Sequence, residues 1–211
     1  AACRAEGGGD AIAIRADVRE SEAVDAMFEQ ARAHFGRVDV LVNNAGALTM
    51  PEGKSLRGPL GATCDEAIRL LIDSHLIGTI TCSRAALQEM EPRGEGAIIS
   101  ISSTATTRAL PGHAVYAAAK AGVEGFTRAL AYEVAKKGVR VNAVRAGWLD
   151  SPSNAPLTSD AAATKAFTKR FIPANRLGAM GEVAASCLFL ASEAAAYMAG
   201  EVLTIDGGMS L

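Results

Sequence analysis

Tyr116 and Lys120 stand four positions apart in a stretch of helical periodicity, so both side chains leave one face of a helix. An ammonium beside a phenol stabilises the phenolate and draws its pKa below the usual value of about 10. A tyrosine so placed becomes an acid/base near neutrality. Thirteen positions before Tyr116, Ser103 ends the run Ser100-Ile101-Ser102-Ser103. There its hydroxyl could bind a carbonyl or alcohol oxygen and hold it beside the phenol. A Tyr-x-x-x-Lys pair and a serine arise by chance in many helices, and by themselves they define no function. Nearer the amino end, Asn43-Asn44-Ala45-Gly46 is a turn whose small residues would let the backbone approach a ligand closely. His113, close to Tyr116, reads as a helix-start or pocket-rim residue rather than a base.

Positioning these residues requires a particular scaffold. Short β-branched or aliphatic runs at 11–16, 38–43, 97–101, 139–144 and 202–205 alternate with longer helical stretches at about 21–35, 62–91, 113–137 and 181–192. That alternation is the mark of a parallel sheet covered by helices, so the fold class is α/β, a Rossmann-like doubly wound sheet of about five strands. Ligands of such sheets bind beyond the carboxyl ends of the strands, which puts the chemistry just after Asp17, Asn43, Ser102 and Val144. Residues 148–176 carry Pro152, Pro156 and Pro173, many small polar residues and one helical patch near 161–171, and read as a mobile loop or lid.

Composition narrows the possibilities. At 211 residues and 49% hydrophobic, the chain has material for one core and needs no second domain. A net charge of -2 with both signs interspersed leaves no basic stripe for nucleic acid. No apolar run approaches the roughly 20 residues that cross a bilayer, and nothing resembles a signal peptide, so a cytoplasmic protein is expected. Cys3, Cys64, Cys82 and Cys187 are scattered without partners, which suggests reduced thiols, mostly buried, and neither a zinc site nor disulfides.

Taken together, Asp17-Val18 after a strand, the Asn-Asn-Ala-Gly turn, the Ser-to-Tyr spacing, Tyr-x-x-x-Lys, the run 139–147 and the closing Ile205-Asp206-Gly207-Gly208 resemble the short-chain dehydrogenases/reductases, in order and along the whole chain. The resemblance implies NAD or NADP as cofactor, no metal, and hydride transfer between a small-molecule alcohol and a ketone. Carried over by position, Tyr116 is the general acid/base, Lys120 lowers its pKa and holds the nicotinamide ribose, and Ser103 orients the substrate oxygen. Asp17 and Val18 match positions at the adenine ring, and Asn43, Ala45 and Gly46 those along the adenosine side of the cleft. Gly147, Leu149 and Ser151 match the segment that cradles the nicotinamide. The family's paired-helix surface further implies a homodimer or homotetramer.

Three departures qualify the resemblance. His75 stands where the family has a catalytic Asn that seats a proton-relaying water, and an imidazole titrating near about 6.5 would add an ionisation between roughly pH 5 and 8. Ala146 replaces a proline that would fix φ near −65°. The opening strand, Gly-rich phosphate turn, helix and second strand are missing ahead of residue 1, so a preceding segment is expected, and the sequence begins as the tail of a helix closed by Gly7-Gly8-Gly9. Without that turn, micromolar dinucleotide binding is not expected, and 11–16 should either pair with 38–43 or stand apart from it. The missing region also leaves NAD against NADP open, and 48–60, 105–113 and 148–176 set substrate identity. A non-catalytic family member that serves as an oligomerising scaffold is the alternative reading.

Overall fold

The computed structural model describes residues 9–211. The helix tail expected ahead of Gly9, and Cys3, lie outside the described residues. The strands are β1 (Val40–Asn43), β2 (Gly96–Ser103), β3 (Val139–Ala146), β4 (Leu149–Asp150), β5 (Gly178–Ala179) and β6 (Val202–Ile205). The helices are α1 (Ser21–Phe35), α2 (Asp65–Ile72), α3 (Gly78–Arg93), α4 (Ala114–Val134), α5 (Ala155–Thr158), α6 (Ala161–Phe171) and α7 (Met180–Ala191). The main sheet is parallel in the order β1-β2-β3-β6.

Alternation along β2 explains why helices cover both faces. Ile98 points into a cluster with Val24 and Phe28 of α1, Met90 of α3 and Val134 of α4. Its neighbours Ala97 and Ile99 point the other way, against Val183 and Leu190 of α7. A strand buried on both faces reads as the near-continuous apolar run seen at 97–101. Among the described residues no helix is long and apolar enough to cross a membrane.

Three expectations need correction. The main sheet has four strands among the described residues, and 11–16 is not one of them. Its Ala-Ile-Ala-Ile pattern suits a strand only where a neighbour supplies backbone partners, and β1 does not. β1 instead leaves Val40 and Val42 40% and 44% exposed. The chain is anchored just afterwards, where the Val18 side chain fills the space over Gly78. The helix expected at 62–91 is α2 and α3 joined through a π-helical turn, Asp73–Ile77. Finally, 148–176 is no free loop. β4 pairs with β5, the Asp160 carboxylate caps α6 by accepting from the Ala162 and Ala163 amides, and the Trp148 ring lies 4.6 Å from that of Phe167.

Candidate active site

Ser103 closes β2 directly opposite Ala146 of β3, and its Oγ accepts a 3.2 Å hydrogen bond from the Ala105 amide. That contact uses a lone pair and leaves the hydroxyl proton free to donate. Tyr116 and Lys120 come from the first two turns of α4. The Lys120 ammonium donates to the Ile101 carbonyl at 2.6 Å, which ties helix to strand two residues before Ser103. Its Nζ sits 5.8 Å from the centre of the Tyr116 ring.

A second tie lies one turn further along α4. The Glu124 carboxylate accepts from Ser102 Oγ (2.7 Å), Thr106 Oγ1 (2.9 Å), and Arg145 Nε and Nη2 (2.9 and 2.7 Å). Burial alone would raise the Glu124 pKa, but the hydrogen bonds from Arg145, Ser102 and Thr106 outweigh it and hold the carboxyl below its usual range. The site therefore rests on a buried Glu124 carboxylate paired with a partly buried Arg145, which joins α4, β2 and β3.

The expected lowering of the phenol is not what the geometry gives. Burial pushes the Tyr116 pKa up, while the Ser103 hydroxyl and the Arg57 charge pull it down without cancelling that effect. The Lys120 ammonium lies over the ring and donates to the Ile101 carbonyl rather than to the phenol oxygen. Burial also brings Lys120 itself down to about 8.

His75 is 5% exposed within the π-helical turn. Its Nε2 lies 2.9 Å from the Ala47 carbonyl, so Nε2 carries the proton, and the buried Nδ1 has no partner among the described residues. Its ring meets Tyr116 edge-on at 5.2 Å. Burial, then the Lys120 charge, drop the His75 pKa to about 4 against the pull of the Ala47 hydrogen bond. The ionisation expected between pH 5 and 8 is thus displaced below that window. Gly46 is explained by the same contact, since a Cβ there would fall 2.0 Å from His75 Cε1.

A cleft of about 300 Å³ gathers Gly46, His75, Ser103, Tyr116 and Lys120. Gly147, Leu149 and Ser151 form another of its walls. Gly147 is needed for packing, since its Cβ would come within 2.7 Å of Asp206 Cα in the closing Asp-Gly-Gly turn. Asp17, Val18, Asn43 and Ala45 do not line the cleft. Asp17 is engaged by Arg19 at 2.6 Å, Val18 packs on Gly78, and Asn43 donates to Ser83 and Ser100. Asn44 of the predicted turn lines the cleft, and lining residues that sequence reasoning did not single out include Arg57, Leu110, Ser153 and Asn154. Arg57, Leu110, Ser153 and Asn154 fall in the three segments expected to set substrate identity, a signal that marked regions without ranking residues.

Comparison with known proteins finds relatives along nearly the whole chain. Residues 1–210 match the family model described as enoyl-(acyl carrier protein) reductase. The chain is 41% identical to 3beta-hydroxysteroid dehydrogenase 1 of Eggerthella lenta over 207 residues, covering 98% of this chain and 76% of the relative. It is 39% identical to cis-4-hydroxycyclohexanecarboxylate dehydrogenase of Sinomonas cyclohexanicum, over 96% of this chain and 78% of that one. Among solved structures, gluconate 5-dehydrogenase from Burkholderia cenocepacia in complex with NADP and tartrate superposes with a TM-score of 0.84 at 34% identity, covering 92% of this chain and 73% of that one. With its parallel sheet, its Tyr-x-x-x-Lys helix and matches spanning nearly all its length, the chain belongs to the short-chain dehydrogenase/reductase family of oxidoreductases.

Proposed function

We propose that this protein interconverts an alcohol and a ketone by hydride transfer with NAD or NADP. The observation that carries the reading is the convergence of Ser103, Tyr116 and Lys120 in one cleft. The residues present fit the nicotinamide end of the cofactor. Lys120 is 5% exposed and uses one of its three donors on Ile101, so two remain for ribose hydroxyls, with Gly147, Leu149 and Ser151 alongside. When bound, the nicotinamide supplies or accepts the hydride at the carbon.

The chain's own residues manage the oxygen. In reduction, the Ser103 hydroxyl donates to the carbonyl oxygen and holds it at the phenol. As the C=O electron pair moves onto oxygen, the Tyr116 proton is transferred to it, leaving the alcohol and a phenolate that regains its proton from solvent. Because burial keeps Tyr116 protonated at neutral pH, the resting site is set for this direction. The adjacent Lys120 ammonium stabilises the transient phenolate. Neutral His75 serves as a positioning residue that carries Ala47 and Gly46 against the site.

Assay with NADH or NADPH and small ketones tests this. Turnover at millimolar coenzyme is expected. A second reading, a non-catalytic scaffold, is favoured by the other side of the cleft, where Asp17 is spent on Arg19 and Asn43 on Ser83 and Ser100. A folded protein without turnover with either coenzyme would select it. Tyr132 on α4 is 90% exposed and Ile77 41% exposed, apolar surface that supports a homodimer or homotetramer, and light scattering that gave a monomer at micromolar concentration would exclude both.

A further inference from the structure

We infer that the cleft selects substrates bearing a carboxylate, held by Arg57, so that the alcohol or ketone belongs to a hydroxy or keto acid. This deepens the reading of the cleft as a hydride-transfer site and rests on it for the word substrate. The charge around the cleft is one-sided. Arg57 and Lys120 line it, and among the described residues no aspartate or glutamate does. The nearest acid on α4, Glu124, is consumed by Arg145, and Lys120 is engaged by Ile101.

Arg57 is different from both. Its guanidinium makes one long hydrogen bond, from Nη2 to the Ser153 carbonyl at 3.4 Å, and no ion pair among the described residues. A guanidinium has five donors in a planar fork matched to a carboxylate, so most of that capacity is unspent. The residue is half-buried and held from its own backbone, where the Arg57 amide donates to Ser55 Oγ at 3.1 Å. Arg57 and Tyr116 line the same cleft of about 300 Å³, so an anion held by Arg57 and an oxygen at Tyr116 can belong to one small molecule. Leu48, Leu110, Trp148 and Leu149 supply apolar walls for the carbon body between the two.

Trp148 is the single tryptophan of the chain and lines the cleft, so its fluorescence reports occupancy without turnover. The probes are 3-hydroxyhexanoate and its methyl ester, which share a backbone and differ in charge. Binding of the acid at least tenfold tighter than the ester is expected, with Arg57→Gln weakening the acid by about ten- to a hundredfold and leaving the ester unchanged. Arg57→Lys should fall between, and circular dichroism of both variants verifies folding. Equal binding of acid and ester, no binding of the acid at millimolar concentration, or an unchanged Arg57→Gln would each overturn the inference. So would an acidic acyl-carrier protein whose binding depends on Arg57 while the small acid's does not. Turnover of neutral ketones without preference for acids would remove the inference and leave the dehydrogenase reading intact. Acid binding without turnover would do the reverse.

Discussion

On one side of the cleft, β2 pairs with β3 along all eight of its residues, and Glu124, Arg145, Ser102 and Lys120 bind α4 to that pair through buried hydrogen bonds. On the other side, β1 is four residues long, pairs with β2 alone, and leaves Val40 and Val42 facing outward. The same sheet thus offers a self-supporting wall under Ser103, Tyr116 and Lys120, and an open edge where Asp17, Asn43 and Ala45 are occupied with local contacts or solvent. On the proposed reading, proton transfer would draw on the first side and dinucleotide affinity on the second.

Tyr116→Phe should break the comparison most visibly, because it deletes only the hydroxyl proposed as proton donor from the supported side. Turnover is expected to fall by about 10²- to 10⁴-fold with coenzyme binding retained. Steady-state kinetics showing unchanged turnover would remove Tyr116 from the chemistry.

Glu124→Gln attacks the support itself. Leaving Arg145 without its partner should cost about 3–5 kcal/mol in urea denaturation at pH 7. The Glu124 carboxyl is held below its unfolded value, so its contribution is complete above about pH 4.3 and is lost as pH falls through the lower folded value. The gap between the two proteins should therefore narrow in acid, and a loss under about 1 kcal/mol at pH 7 would show the pair to be incidental.

His75→Asn probes the boundary between the two sides. A histidine whose pKa falls from 6.5 unfolded to about 4 folded contributes stability that is complete above 6.5 and is lost as pH drops towards 4. The native protein should lose on the order of 3 kcal/mol over that interval, and the variant should not. Parallel stability curves from pH 7 to 4.5 would mean that His75 is solvated in solution. The rate profile between pH 5 and 8 should be the same in both.

The smallest effect belongs to the open edge. Val42→Lys should change stability by less than about 0.5 kcal/mol, as an exposed substitution does. A larger loss on thermal unfolding would indicate that this edge is covered in solution.

Much of the supported side was legible in the sequence, and for a physical reason. Tyr116, Lys120 and Ser103 lie within eighteen positions of one another, on elements whose periodicities announce them. A strand buried on both faces and a helix with an i,i+4 pair are local signals, and 139–144 and 202–205 came through for the same reason. What failed was non-local. Whether Ala-Ile-Ala-Ile becomes a strand depends on a neighbour, and whether Asp17 meets a ligand depends on Arg19 two residues on. The direction of the Tyr116 shift was also illegible, because it is set by how deeply the ring is buried and by Lys120 bonding to Ile101. Arg57 could not be ranked above other loop residues until the absence of acids around it was visible.

The π-helical turn at Asp73–Ile77 has a consequence for how this region can vary. A π turn holds about one residue more than an α turn, so it absorbs an extra residue while the helices before and after it keep about the relation they would have across a regular α-helix one residue shorter. Deleting a single residue within 73–77 would let the turn relax to α geometry. The Ala67 and Leu71 face of α2 and the Cys82 and Met90 face of α3 would stay on their clusters, while the residues of the turn itself, His75 among them, would be re-aimed. A one-residue deletion there is therefore expected to disturb the cleft before it disturbs the core. The helix keeps count for the cleft, and the extra residue is what brings His75 round to Gly46.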